Sequence, residues 1–421
     1  MKPTAPLLLA AALLVACNST RPPATPGSGS FPDFIAATRA ATPDAYVGRE
    51  GFAVANAAEL GRMQTHLATL YEGVTSSRTV RDAAGTTFDC IPIEQQPGLR
   101  GGEPLLTPRT PALTFNDAGE TGPRGAKVQP NSVGCGAGTI PMRRITLEQI
   151  ARFRTIDEFL TGNKRYPVAG AVNIPGIHYY ATVYQDADAY GAGTDINIWA
   201  PYVVPGADVF SLSQLWVAGG ADAARQTVEA GWTVYPMKFG TAWPVLFEYW
   251  TPDDYASGCY NLECPGFVQT NRSWVFGAVV GPISQLGGTQ TTLQYAWWRD
   301  SLDGVWWLYL GHGTLQAVGY IPKRMWNAGQ MSKYATRVMF GGETATNTPG
   351  VPAGHMGNGN FAAAGPGYAA FQNKLTYYPT TGGIVPLKAT AMEPTPQCYT
   401  VLPTSGMERS FMYFGGPQCP P

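Results

Sequence analysis

The chain is 421 residues long, 14% of them charged, with a formal net charge of -1. That length accommodates one large domain beside a smaller one, or two of moderate size, and a near-neutral balance without a long Lys/Arg cluster excludes the electrostatic footprint of a nucleic-acid binder. The 50 glycines and 36 prolines beside 12% aromatic residues predict many short strands joined by turns.

At the N-terminus, Lys2 stands ahead of an apolar run from Leu8 to Ala16 that is too short to cross a bilayer and is patterned as a secretory signal. The run ends Leu14-Val15-Ala16-Cys17, which resembles a bacterial lipobox and would make Cys17 the lipidated first residue of the mature chain. Cleavage of an ordinary signal nearby would instead discard Cys17. The Pro/Gly/Ser-rich segment that follows is expected to be a flexible tether over residues 18–45. Export implies an oxidising compartment. The six remaining cysteines then suggest three local pairs, Cys90 with Cys135, Cys259 with Cys264 and Cys398 with Cys419, although sequence leaves the connectivity open. No Cys-x-x-Cys or His-rich spacing appears and the histidines (His66, His178, His312, His355) are scattered, so neither metal nor cofactor is expected.

The first clear helix is NAAELGRMQTHLATLYEGV, with Asn56 as N-cap, Glu59 completing a capping-box pattern and Leu60, Met63, Leu67 and Leu70 as its apolar stripe. His66 lies off that stripe, as a solvated residue would. A hairpin is expected around Ala83-Ala84-Gly85, followed by an irregular stretch from Gln96 to Gly138. ITLEQIARFRTIDEFL reads as one further helical pattern closed by Gly162. From about Tyr166 the pattern is almost wholly β, and the domain boundary is placed there. The short strands suggest antiparallel sheets packed as a sandwich. Asp303-Gly304 is a candidate two-residue hairpin turn, and no GxGxxG, Walker A or GxSxG motif appears.

Within this β region the segment TVEAGWTVYP alternates as a half-buried strand, with Val228, Ala230, Trp232 and Val234 on one face and Glu229, its only charge, on the other. Pairing DVFSLSQLWV with QTVEAGWTVY as a hairpin brings Gln214 close to Glu229. A second isolated acid, Glu343, follows Gly341-Gly342 in ATRVMFGGET. Two carboxylates near one water can divide the work between an ionised base and a protonated acid, and favour acidic conditions. Spacing alone makes this a weak signal, since isolated glutamates in strands are usually edge or solvent-facing and Glu248 in LFEYW has a similar setting.

Longer words decide between these readings. INIWAP, FSLSQLWV, EAGWTVYP, FEYWTPDDY, SGCYNLECPGFVQTN, WWLYLG, VGYIP, GGET, MGNGNF and the terminal QCY…FGGPQC, in that order, resemble the neprosin family of glutamic prolyl endopeptidases. The resemblance runs from the Cys90 region to the C-terminus. It implies that Glu229 and Glu343, in the EAGW and GGE motifs, form the catalytic dyad, with the base and acid roles unassigned. Gln214 is then a candidate for polarising the scissile carbonyl or its oxyanion. Gly231 would leave room for a peptide, and Trp232 or Tyr320 would pack on the proline ring. The resemblance also implies a removable activation domain over residues 46–165, containing Cys90 and Cys135, before a β-sandwich catalytic domain over residues 166–421. Cleavage near Lys164-Arg165 would release the peptidase from a Cys17-anchored precursor.

The expectation is therefore a mainly β, exported, monomeric endopeptidase that cuts proline-containing peptides or proteins, touching a membrane only through a lipid anchor. Two alternatives share the same residues. One is a glycoside hydrolase using the two glutamates; the other is a non-catalytic surface lectin or adhesin on the same fold.

Overall fold

The computed structural model describes residues 29–109, 125–164, 177–406 and 409–419. The secretory signal, Cys17, the first part of the expected tether and Arg165 at the expected cleavage junction lie outside the described residues. The later part of the tether is not an extended linker. Phe31–Ala40 forms helix α1, capped by the Ser30 hydroxyl, which accepts the Asp33 amide. Phe31 and Phe34 from α1 bury edge-on against Tyr71, and the Arg144 guanidinium lies 5.2 Å over the Phe34 ring.

Helix α2 (Ala57–Leu70) starts where the Asn56 side chain accepts the Glu59 amide, and buries Leu60, Met63, Leu67 and Leu70 as the spacing predicts. The Glu59 carboxylate does not complete the capping box. Its Oε1 accepts the Ile156 amide at 2.7 Å and so ties α2 to the segment that carries Lys164. His66 is not solvated: it is half-buried against the Glu263 backbone, and burial pushes its pKa down to about 4. A small antiparallel sheet is made of β1 (Arg78–Arg81), β2 (Thr87–Pro92) and β4 (Thr139–Arg143), while β3 (Gly125–Lys127) pairs in parallel with a strand of the large sheet. The single helical pattern expected after it splits into α3 (Leu147–Ile150) and α4 (Ile156–Thr161), because Thr146 and Thr155 each cap a new start. Gly162 in the left-handed region (φ 61°) then ends α4.

The remainder is mainly β: a large, curled antiparallel sheet system whose blocks share the 21-residue strand β5 (Ile177–Asn197). One block is β6 (Val209–Gly219), β7 (Gln226–Val234), β8 (Val245–Thr251), β9 (Cys259–Tyr260) and β14 (Ala335–Thr346), joined to β5 through β14 along residues 177–189. A short turn, α5 (Pro236–Phe239), links β7 to β8. The other block joins residues 189–197 of β5. On one side are β11 (Gln290–Arg299), β12 (Trp306–His312), β13 (Thr314–Ile321) and β10 (Val268–Gln269). On the other are β15 (Ala370–Pro379), β19 (Arg409–Gly415) and β18 (Thr400–Gly406), with β16 (Val385–Pro386) beside β15, while β17 (Thr390–Met392) pairs with residues 182–184 of β5.

The blocks pack face to face, because the Trp232 indole N–H of β7 donates to the Asn197 carbonyl of β5, and Gln372 of β15 donates to the Ser213 hydroxyl and the Gln214 and Gly341 carbonyls. β7 is consequently buried along its whole length, where alternation predicts one wet face. The three expected disulfides, Cys90–Cys135, Cys259–Cys264 and Cys398–Cys419, are all formed. The β11–β12 connection runs from Asp300 to Val305 and is longer than the two-residue Asp303-Gly304 turn.

The N-terminal segment docks on the β region through buried polar contacts. The Gln96 amide exchanges two hydrogen bonds with the Gln269 backbone. Glu263 takes Arg143 at 3.4 Å and Lys238 at 2.7 Å. Desolvation lowers the Lys238 pKa to about 8 despite the partner carboxylate.

Candidate active site

Four neighbouring strands, in the order β7, β6, β14 and β5, present one continuous row of polar side chains. Gln214 on β6 stands opposite Gly231 on one side and Gly341 on the other. Glu229 lies opposite Trp216 and Glu343 opposite Leu212, so the two acids sit on the same face, diagonally to either side of Gln214. On the next strand Tyr180 stands opposite Glu343. The hairpin pairing expected from sequence is therefore present, and it brings the two glutamates around one glutamine.

Each carboxylate has one anchored oxygen and one directed inward. Glu229 Oε1 accepts from the Tyr255 hydroxyl at 2.5 Å and the Thr227 hydroxyl at 3.0 Å; its Oε2 accepts from Gln214 Nε2 at 2.8 Å. Glu343 Oε1 meets His178 Nδ1 at 2.7 Å and the Tyr180 hydroxyl at 3.3 Å. The two Oε2 atoms converge on the Lys164 ammonium, 2.7 Å from Glu229 and 3.6 Å from Glu343, which also donates to Gln214 Oε1 at 3.3 Å. Lys164 arrives two residues beyond Gly162, and its ammonium faces the rings of Phe247 and Tyr249. Lys164, Glu229, Glu343 and Gln214 are all buried.

Electrostatics follow from this enclosure. Burial alone would push the Glu343 carboxyl upward; the Lys164 charge, the hydrogen bond and charge of His178 and the Tyr180 hydroxyl outweigh it, so its pKa is lowered. The Tyr255 phenol is pushed well above its ordinary range by burial and by the Glu229 charge, so it stays a donor. Glu248, whose setting in sequence resembles that of Glu229, stands opposite Ala230 and so takes the other face of the sheet. Both of its oxygens are buried without a hydrogen-bond partner among the described residues, and desolvation followed by the nearby Glu263 pushes its pKa well up. Among the described residues, no group of three or more His, Cys, Asp or Glu side chains is placed to hold a metal ion.

Three expectations about the surroundings are corrected. Gly231 does not open space for a peptide: a Cβ there would lie 2.0 Å from the Ser213 carbonyl oxygen and 2.7 Å from Gln214 Cα, so it permits close approach of β6 and β7. Trp232 faces away from Glu229 by strand alternation, in the core between the blocks. Tyr320 belongs to a separate cluster, 4.7 Å from the Trp307 ring, where its hydroxyl accepts the Leu106 amide. Neither aromatic borders the row of Glu229, Gln214 and Glu343.

Sequence reasoning placed Lys164 only at a cleavage junction and His178 only among scattered histidines, and it missed Tyr180, Thr227 and Tyr255. A signal existed for some of them. Thr227 is two residues from Glu229 on the same face, and HYYATVYQ puts His178 and Tyr180 on one face of a strand. Lys164 carried no such signal, because only the tertiary fold brings the end of α4 to this face.

The Neprosin family model matches residues 207–417, half of the chain, and the match includes Gln214, Glu229 and Glu343. Among solved structures, scytalido-glutamic peptidase with a transition state analog inhibitor aligns at 12% identity and a TM-score of 0.35, covering 57% of this chain and 98% of that one. SCP-B, a member of the Eqolisin family of peptidases in complex with the tripeptide Ala-Ile-His, aligns at 10% identity and a TM-score of 0.29 over the same shares. TM-scores of that size do not establish a shared fold. The family match does not depend on them, and by that match the chain belongs to the neprosin family.

Proposed function

We propose that this protein is a glutamic-type endopeptidase that hydrolyses peptide bonds after proline, with Glu343 as general base and Glu229 as general acid. The observation that carries the reading is the convergence of the two Oε2 atoms on one point beside Gln214, with each Oε1 held by donors of the fold. Lys164 fills that point in the form described. With the ammonium withdrawn and one carboxyl protonated, as acidic conditions favour, a water takes its place.

Glu343 Oε2 then accepts a proton from the water, whose oxygen bonds to the scissile carbonyl carbon as the carbonyl π pair moves onto its oxygen. The Gln214 amide supports that developing oxyanion. On collapse the C–N bond breaks and the amine takes its proton from Glu229. Transfer of the proton now on Glu343 to Glu229 restores the starting state.

The reading extends to an exported monomer, lipidated at Cys17, acting on proline-containing peptides or proteins without a cofactor. The three disulfides support an oxidising compartment. The test is cleavage of a quenched peptide containing one proline by the full-length chain from acid to neutral pH, beside Glu229→Gln and Glu343→Gln. Acid-favoured cutting that falls by about 10²–10⁴-fold in each variant, with unchanged melting, is expected. Activity that survives both substitutions would sink the dyad. Absence of cutting at every pH by a folded chain carrying Lys164→Ala would sink the peptidase reading.

A further inference from the structure

Beside the two glutamates stands an imidazole that the steps above do not use. His178 is on β5 opposite Ala345, two residues along from the Tyr180–Glu343 pair, so its side chain reaches Glu343 diagonally across the strands. The side chain is 4% exposed. Its Nδ1 lies 2.7 Å from Glu343 Oε1, whereas its buried Nε2 has no hydrogen-bond partner among the described residues. The ring is fixed by packing, edge-on to Phe210 at 5.8 Å and stacked on Tyr180 at 6.3 Å. An ionised carboxylate only accepts hydrogen bonds, so the network assigns a proton to Nδ1. On the carboxylate, Oε1 is thereby engaged, and Oε2 has no hydrogen bond among the described residues and faces the Lys164 ammonium at 3.6 Å.

We propose that His178 is a positioning residue: its Nδ1–H holds Oε1 of Glu343 so that Oε2 is the oxygen presented to water. This inference rests on the peptidase reading. The ionisable groups around the pair are Tyr180 on its own strand, Lys164 beyond α4, Glu229 on β7 across that ammonium, and the phenols of Tyr249 on β8, Tyr260 on β9 and Tyr255 between them, while β6 contributes the Phe210 ring. Lys164 must leave for water to enter, and Tyr180 is the more distant donor at 3.3 Å. His178 is then the main group holding Glu343 ionised and oriented during turnover. Donation to the ionised form favours it, so loss of the donor raises the carboxyl pKa and reduces the fraction of active base in acid.

The test compares full-length chains carrying Lys164→Ala with and without His178→Phe or His178→Asn. Phe keeps the packed ring and removes the donor; Asn restores a short N–H donor. Steady-state cleavage of the proline peptide gives kcat, KM and the acid limb of the pH profile, and ¹³C-carboxyl NMR reads the titration of Glu343 directly. His178→Phe is expected to lower kcat by about 10–100-fold with KM nearly unchanged. Its acid limb and Glu343 titration should move to higher pH, and His178→Asn should recover most of kcat. If His178→Phe does not fold, His178→Gln, whose longer side chain misplaces the donor, takes its place in the same comparison. An unmoved Glu343 titration overturns the proposal whatever the activity, as does an Asn variant as defective as Phe with wild-type melting. A chain without peptidase activity whose Glu343 titration still moves would refute hydrolysis while leaving the His178–Glu343 coupling standing.

Discussion

Replacing Lys164 by Met in the full-length chain removes one charge and nearly preserves shape. The thioether can retain the packing against Phe247 and Tyr249, but Glu229 and Glu343 lose the ammonium at 2.7 Å and 3.6 Å. Deleting one partner of a buried ion pair typically costs about 3–5 kcal/mol, because the remaining charge is left uncompensated. Here two carboxylates are left. At about 1.4 kcal/mol per decade, that cost is roughly two to three and a half decades in the population of the state with the Gly162–Lys164 segment seated. The sign with pH is set by Glu343. Its folded pKa lies below its ordinary 4.5, so the pairing contributes stability above that value, and the contribution is lost as pH falls through the folded pKa. Thermal melting of wild type and Lys164→Met at neutral pH and again well below pH 4.5 reads this directly, beside peptide cleavage without an acid step. We expect a lower Tm in the variant at neutral pH, a difference that shrinks in acid, and cleavage that needs no withdrawal of the ammonium while still favouring acid, where one carboxyl is protonated. An equal loss of Tm at both pH values would refute the electrostatic reasoning and reduce Lys164 to a packing residue.

Other outcomes follow from single contacts. Glu248→Gln should raise Tm at neutral pH, since burial raises the folded pKa of Glu248 above its unfolded value, and the gain should shrink in acid as the unfolded chain is protonated too; a Tm difference between variant and wild type that is the same at both pH values would contradict this. Gly231→Ala should cost about 3 kcal/mol or more, since its Cβ meets the Ser213 carbonyl oxygen at 2.0 Å, and denaturant unfolding would show it. The accompanying shift of Gln214 should lower kcat by about 10²-fold. Removing Cys90–Cys135 (separation 45) should cost about 4 kcal/mol, against about 2 kcal/mol for Cys259–Cys264 (separation 5), because the longer loop restricts the unfolded chain more. Paired Cys→Ala variants test the order.

Much of the fold was legible because it rests on local periodicity. The α2 stripe, the Asn56 cap, the Gly162 stop and the β6–β7 pairing all come from residues near one another in sequence. Glu229 stood out as the lone charge of its strand, and the family words singled out Glu343. What failed was information about the opposite face and about distant segments. Alternation shows that Trp232 and Glu229 point in opposite directions, yet it does not show which face meets the substrate. Tyr320 looked available because sequence does not reveal that Trp307 and Leu106 already occupy it. The expected tether hides a helix because its burial depends on Tyr71 and Arg144, well beyond the segment itself. Lys164 sits 65 positions from Glu229, and only the packed N-terminal segment brings it there.

Product analysis by mass spectrometry decides whether two glutamates cut after proline, using an unstructured protein of mixed sequence digested in acid by the full-length chain, by Glu229→Gln and by Glu343→Gln. Wild type should yield new C-termini ending in proline, and neither variant should yield any. Cuts without proline would contradict the specificity, and the same cuts from both variants would contradict the two-glutamate mechanism itself.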